Sequence, residues 1–264
     1  MQDLKSCSFL WSVGSIPIRG TKNVKKMINS IETTILFEDD KKSFVKCRDL
    51  KQINVITGEN RVGKSSFLSC FPAVLSYLND LTYPDTKKKN YATPFFIQNM
   101  YIPNVKSFSI EMDLDDGSNY RTLVNNIQRR RDTFHIDSYN RNIISGFYNK
   151  SLYAAHDIHK RLYHYDIALV DSVDEHLSPA KQAELARSLT YLLKNQSNSQ
   201  LFIITNSYCF LKSLYVSSIE KNVDVAVIEM MDNKPSIQYD LKQDFDRLPC
   251  VEAQVKLYDQ ELDL

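Results

Sequence analysis

Glycine is scarce in this chain, at 6 of 264 residues, so each place where it does occur carries information. No stretch approaches the ~18 uncharged apolar residues that a membrane-spanning helix needs. The opening residues, MQDLKSCSFLWSVG, are too short and too polar for a signal peptide. The five cysteines (Cys7, Cys47, Cys70, Cys209 and Cys250) are odd in number, scattered and without a CxxC pair. Neither a disulfide framework nor a zinc site is therefore indicated. Together these absences predict a reduced, cytoplasmic protein with no membrane partner. The formal charge of +1 lacks the basic excess of a freestanding nucleic-acid binder, so DNA contact is neither shown nor excluded. Lys87 to Lys89 and Arg129 to Arg131 are short basic runs, read as solvated faces. His156, His159 and His164 lack the carboxylates or cysteines that would complete a coordination set. The 15 tyrosines and 13 phenylalanines are not interleaved with basic residues, so they are assigned to packing and interfaces rather than to base stacking.

What is present is ordinary globular composition, 43% hydrophobic and 25% charged, in a chain long enough to bury a core without staples. Against that background one segment stands out, INVITGENRVGKSSFLSCF. Ile53 to Ile56 is a β-branched run suited to a buried strand, and Ser66 to Tyr77 is apolar enough for a buried helix, with Pro72 able to bend it. Between them Gly58-Glu59-Asn60-Arg61-Val62-Gly63-Lys64-Ser65 is a complete GxxxxGK[ST] match, followed by Ser66. Gly58 and Gly63 permit backbone angles and close approaches that a Cβ obstructs. Such a turn aims amide hydrogens at a polyphosphate, and the helix N-terminus adds positive potential. Lys64 is expected on the β- and γ-phosphates and Ser65 on Mg²⁺, so ATP with Mg²⁺ is the expected ligand.

A phosphate loop needs a carboxylate on a neighbouring strand to hold the metal. Ile167-Ala168-Leu169-Val170-Asp171 supplies it, followed by Ser172-Val173-Asp174-Glu175-His176-Leu177-Ser178-Pro179 and a helical stretch through Leu193. Leu201 to Thr205 is a third apolar strand, leading into Asn206-Ser207. Strands alternating with helices predict an α/β fold with a mainly parallel sheet flanked by helices. Ser107 to Asn125 adds a β-hairpin around Asp116-Gly117, the start of an antiparallel β subdomain. Thr205-Asn206-Ser207 is not the guanine-reading NKxD motif, which disfavours a GTPase.

The order and wording of these motifs resemble the ABC-type ATPases of the RecF, SMC and OLD group. That group's phosphate loop often reads GENGxGKSS, its second motif IDEPExHLHP and its third IITTHSPxFL; Gly58 to Ser66, Val170 to Pro179 and Ile203 to Leu211 are similar. The resemblance implies one P-loop domain over residues 1–264, with lobe I spanning about 1–140 and lobe II about 141–264. It also implies a subunit that dimerises, or forms a higher oligomer, around Mg-ATP. Two departures stand beside the matches. The group's catalytic Glu corresponds to Ser172 and its switch His to Asn206. Serine is no general base near neutral pH, and asparagine hydrogen-bonds a phosphate oxygen without carrying a proton. Three explanations stay open: slow hydrolysis with ATP as a long-lived structural ligand, substitution by Asp174 or Glu175 as base, or an introduced change at Ser172 that traps the bound state.

In the group, a Ser-Gly helix N-terminus from a second subunit covers the nucleotide. The candidate is Ser145-Gly146, ahead of an expected helix over about 147–163, with Ser151 as the weaker alternative. Gln98 and Gln128 are both candidates for the group's metal-contacting Gln. No heptad insertion is expected between the lobes, and no TOPRIM nuclease module is expected after the expected last strand, Val225 to Glu229. The resemblance therefore implies an ATPase subunit acting on a separate effector, such as a nuclease or toxin, in DNA repair or anti-phage defence. The alternative is a scaffold that uses bound ATP structurally.

Overall fold

The computed structural model describes residues 27–71, 104–115, 117, 119–125, 144–148, 167–174, 177–195 and 199–262. Among these residues ten strands form one sheet: β1 Ile28–Phe37, β2 Lys42–Cys47, β3 Ile53–Gly58, β4 Val105–Leu114, β5 Asn119–Asn125, β6 Ile144–Tyr148, β7 Ile167–Val170, β8 Gln200–Ile204, β9 Val225–Met231 and β10 Lys234–Asp240. Helix α1 begins at Lys64 and is described through residue 71. The others are α2 Pro179–Asn195, α3 Tyr208–Lys221, α4 Leu241–Asp244 and α5 Pro249–Leu262.

Across the sheet the strands run β5-β4-β1-β2-β10-β9-β3-β8-β7-β6. From β9 to β6 every neighbouring pair is parallel. At the other end β5, β4, β1 and β2 pair antiparallel. The fold is thus mixed α/β, and the antiparallel strands continue the parallel ones rather than standing apart. The seam between β2 and β10 is thin, a single parallel bridge at Pro235 and Phe44. Proline has no N–H to give, so side chains stitch the seam. Ser236 Oγ accepts from Lys46 N at 3.0 Å, Gln238 Oε1 accepts from Arg48 N at 3.0 Å, and Gln238 Nε2 donates to Arg48 O at 2.6 Å.

The β3, β7 and β8 side chains are buried except for Gly58 at the loop end, as expected for parallel strands covered on both faces. Ile56, Phe202, Ile204 and Leu169 point to one face, where α1 contributes Phe67, Leu68 and Phe71. Phe67, Phe71 and Phe202 meet edge to face, with centroids 5.1 and 4.9 Å apart. Val55, Val170 and Ile203 point to the other face, against Leu185 and Leu189 of α2 and Phe210 and Leu214 of α3. Inside this apolar setting Gln200 is fully buried and fully used. Its Oε1 accepts from Ile28 N at 2.9 Å, and its Nε2 donates to Ile28 O at 2.8 Å and Lys51 O at 3.1 Å. One amide thereby ties β1 to β8.

The strands expected at Ile53, Ile167 and Leu201 and the hairpin around Gly117 are observed. The helix after the loop starts at Lys64, two residues earlier than expected, so Lys64 and Ser65 belong to its first turn. The strand expected over Val225 to Glu229 is not the last. A two-residue turn at Asp232-Asn233, with Asn233 at φ 54°, leads into β10, and α4 and α5 follow. Among the described residues no helix is long and apolar enough to cross a membrane.

Candidate functional site

The parallel strands β3, β7 and β8 end along one edge of the sheet, and the expected site residues that are described cluster there, apart from Ser145 and Gly146. Loops leaving the carboxyl ends of parallel strands form the usual ligand crevice of such sheets. Backbone bonds tie the strand ends together: Thr205 N donates to Ile56 O at 3.1 Å, and Val173 N to Ile204 O at 3.2 Å.

The loop after β3 is framed by its two glycines. Gly58 has φ 131°, and a Cβ there would stand 2.1 Å from Met230 O of β9. Its glycine is demanded by the neighbouring backbone. Gly63 has φ 93°, and a Cβ there would meet the Phe37 ring at 2.4 Å. Gly63 O then accepts from Phe67 N at 2.8 Å, opening α1. Arg61 takes φ 71°, a left-handed angle, at the position where the resembling loops carry glycine. Glu59, Asn60 and Arg61 are exposed, Val62 is buried, Ser65 is exposed and Ser66 is half-buried.

Lys64 folds back over this loop. Its Nζ donates to Gly58 O and Glu59 O, each at 2.7 Å. Burial pulls its pKa below the usual lysine range, while the Asp171 carboxylate acts in the opposite sense. Asp171, at the end of β7, is 5% exposed and accepts from Ser172 Oγ at 3.2 Å. Ser172 itself sits at φ 53°, the left-handed region again. A half-buried ammonium and a buried carboxylate held at one strand edge form a donor set that suits a polyphosphate with a divalent cation. The residues present fit that pair of ligands.

Asn206 faces the same loop with a defined orientation. Its Oδ1 accepts from Gly58 N at 3.3 Å and from Thr57 Oγ1 at 3.0 Å. An amide N–H can only donate, so the side-chain oxygen must be the atom facing Gly58. The Asn206 NH₂ group is thereby turned away from that contact. Ser207 caps α3, accepting from Phe210 N at 3.3 Å. Asp174 lies in the turn after Ser172 and is half-buried, with its backbone oxygen taken by Leu177 N at 3.2 Å.

Ser145 and Gly146 require a correction. They lie inside β6, paired with β7 at Ser145 and Ala168, and residues 147–148 are strand rather than the start of a helix. The β-branched and aromatic residues Ile144, Phe147 and Tyr148 favour a strand, and the register shift between Ser145 and Phe147 is where an unpaired glycine fits. Glu175, Gln98, Gln128, Ser151, the three histidines and both basic runs lie outside the described residues. Sequence reasoning missed Thr57, Phe37, Gln182 and Met230. Their contacts in the folded chain mark them, and no sequence pattern does.

No family model matches the chain, and no curated protein matches it. Among solved structures, it is similar to an Smc head bound to the C-winged helix domain of ScpA. That match has 14% identity and a TM-score of 0.38, covering 83% of this chain and 99% of that one. It is similar also to the SMC head domain from Thermotoga maritima, at 14% identity and a TM-score of 0.33, covering 81% of this chain and 98% of that one. Both are SMC heads.

Proposed function

We propose that the chain is an ATP-binding subunit of ABC type, in which Gly58 to Ser66 is a phosphate-binding loop. The observation that supports this best is the placement of Lys64 and Asp171. The loop's lysine is half-buried on the first turn of α1, and the carboxylate is buried at the end of β7, within electrostatic reach. In this reading Lys64 neutralises phosphate charge, the amides of the loop and of α1's first turn bind phosphate oxygens, and Ser65 with Asp171 holds Mg²⁺. The metal supplies charge neutralisation at the phosphates.

The group that follows Asp171 carries no carboxylate, so hydrolysis is slow and the nucleotide acts chiefly by its presence. Asn206, with its oxygen held by Gly58 and Thr57, has its NH₂ left as a donor for a phosphate oxygen. It supplies orientation and no proton. We further propose that a second copy completes the site and that the nucleotide-bound dimer regulates a separate effector, in DNA repair or anti-phage defence. A ligand that binds the dimer better than the monomer shifts the equilibrium by that difference alone.

Calorimetric titration with Mg-ATP tests the reading. Wild type should bind, and Lys64→Ala should lose roughly tenfold or more in affinity, the weight of one charge-assisted contact. Equal binding by both proteins would remove the basis for a phosphate loop. A scaffold with constitutive ATP is separated by phosphate release and by sedimentation with and without nucleotide: no turnover and an unchanged oligomer favour the scaffold.

A further inference from the structure

Three loops meet at the strand edge, and one side chain outside them bonds to two. Gln182, in the first turn of α2, donates from Nε2 to Leu177 O at 3.0 Å and to Asp174 O at 3.4 Å. Its Oε1 accepts from Ser207 Oγ. Carbonyl oxygens only accept, so the amide orientation is fixed by its partners. Ser207 is held in turn by the α3 cap, and its neighbour Asn206 grips Gly58 N and Thr57 Oγ1. A chain of hydrogen bonds thus runs from the first glycine of the loop, through the 205–207 turn, to the 171–177 segment that carries Asp171, Ser172 and Asp174.

We propose that Gln182 is a positioning residue that couples the two loops, so that occupation of the Gly58 to Ser66 loop is transmitted to residues 171–177. The proposal rests on the nucleotide reading above. Glutamine suits the task because one planar group offers donors to a loop that presents carbonyls and an acceptor to a hydroxyl already committed to a helix cap. Leucine of similar size can do neither. Glutamate keeps the acceptor for Ser207 and loses both donors.

Hydrogen exchange on the full chain, with and without Mg-ATP, tests this. In wild type, nucleotide should slow exchange over 59–66 and also over 171–177. In Gln182→Leu, protection over 59–66 should persist while protection over 171–177 falls about fivefold or more, the scale of ordinary coupling between sites. Gln182→Glu should show the same loss over 171–177 with the α3 cap at 208–211 unchanged. Exchange over 185–193 in α2 reports whether either variant is folded. Protection of both loops that survives both substitutions, or wild-type protection confined to 59–66, overturns the coupling. Absence of wild-type protection over 59–66 overturns the nucleotide reading, and the coupling with it.

Discussion

Arg61 and Ser172 each hold a left-handed backbone angle, at φ 71° and 53°, without being glycine. For an L-residue that conformation costs on the order of 1 kcal/mol. Both flank the candidate site, where such strain is commonly stored. Arg61→Gly should therefore leave stability unchanged or raise it by up to about 1 kcal/mol in denaturant melts, the relief of strain being partly offset by unfolded-state entropy. A clear loss would mean that Arg61 makes a stabilising contact. Ser172→Glu tests the missing carboxylate, since both residues bear the same backbone cost at that angle. Phosphate release should rise by about 10²-fold if a positioned base is what the site lacks. No gain would place the block elsewhere, with Asn206 the next suspect.

Lys64 gives a pH signature at the same scale. Its pKa in the free protein lies below the ordinary ~10.4 of lysine, chiefly through burial. Phosphate binding requires the charged form, so affinity is full below the free-protein pKa and declines as pH rises through it. The apparent dissociation constant should begin to climb at a lower pH than an ordinary lysine would give. A constant affinity up to the normal lysine range would contradict this. For stability the sign is opposite: the unfolded state binds the proton more tightly, so this group favours folding more as pH rises through the same window.

At the level of elements, the glycines do different work. Gly58→Ala drives a Cβ into the backbone of β9, which has little freedom to move, and should cost at least about 2 kcal/mol. Gly63→Ala meets the Phe37 ring first, so Phe37→Ala should recover part of its cost in a double-mutant cycle, leaving the angular strain behind. Full additivity would mean the two residues do not touch. This distinction could not be read from GxxxxGK[ST], which makes both glycines look alike. β3, β7 and β8 were legible because strands covered on both faces are uniformly apolar. β10 was not, because KPSIQYD carries proline and few apolar residues and is held by its antiparallel ladder to β9 and by side-chain bonds across the seam. Ser145-Gly146 misled because a Ser-Gly pair reads the same in a strand bulge as ahead of a helix.

For the whole molecule, the parallel and antiparallel halves form one sheet joined by a narrow seam, and buried Gln200 of β8 also bridges them by its bonds to Ile28 of β1. Its pairing partners lie far away along the chain, at Ile28 and Lys51, which is why no window of sequence reveals it. Gln182 has nearer partners, at Asp174, Leu177 and Ser207, yet its bond to Ser207 likewise forms only when two loops come together. The sequence pattern marks the loop and its carboxylate, whereas the contacts that align them arise only when the segments fold together. Nucleotide binding at the loop after β3 underlies each of the proposed roles. The most direct test is the thermal melting of wild type and Lys64→Ala with Mg-ATP at a hundredfold excess over the measured dissociation constant. Wild type should gain stability worth about 2.7 kcal/mol, while Lys64→Ala at the same nucleotide concentration gains much less. Equal gains in both proteins, or none in wild type, would contradict it.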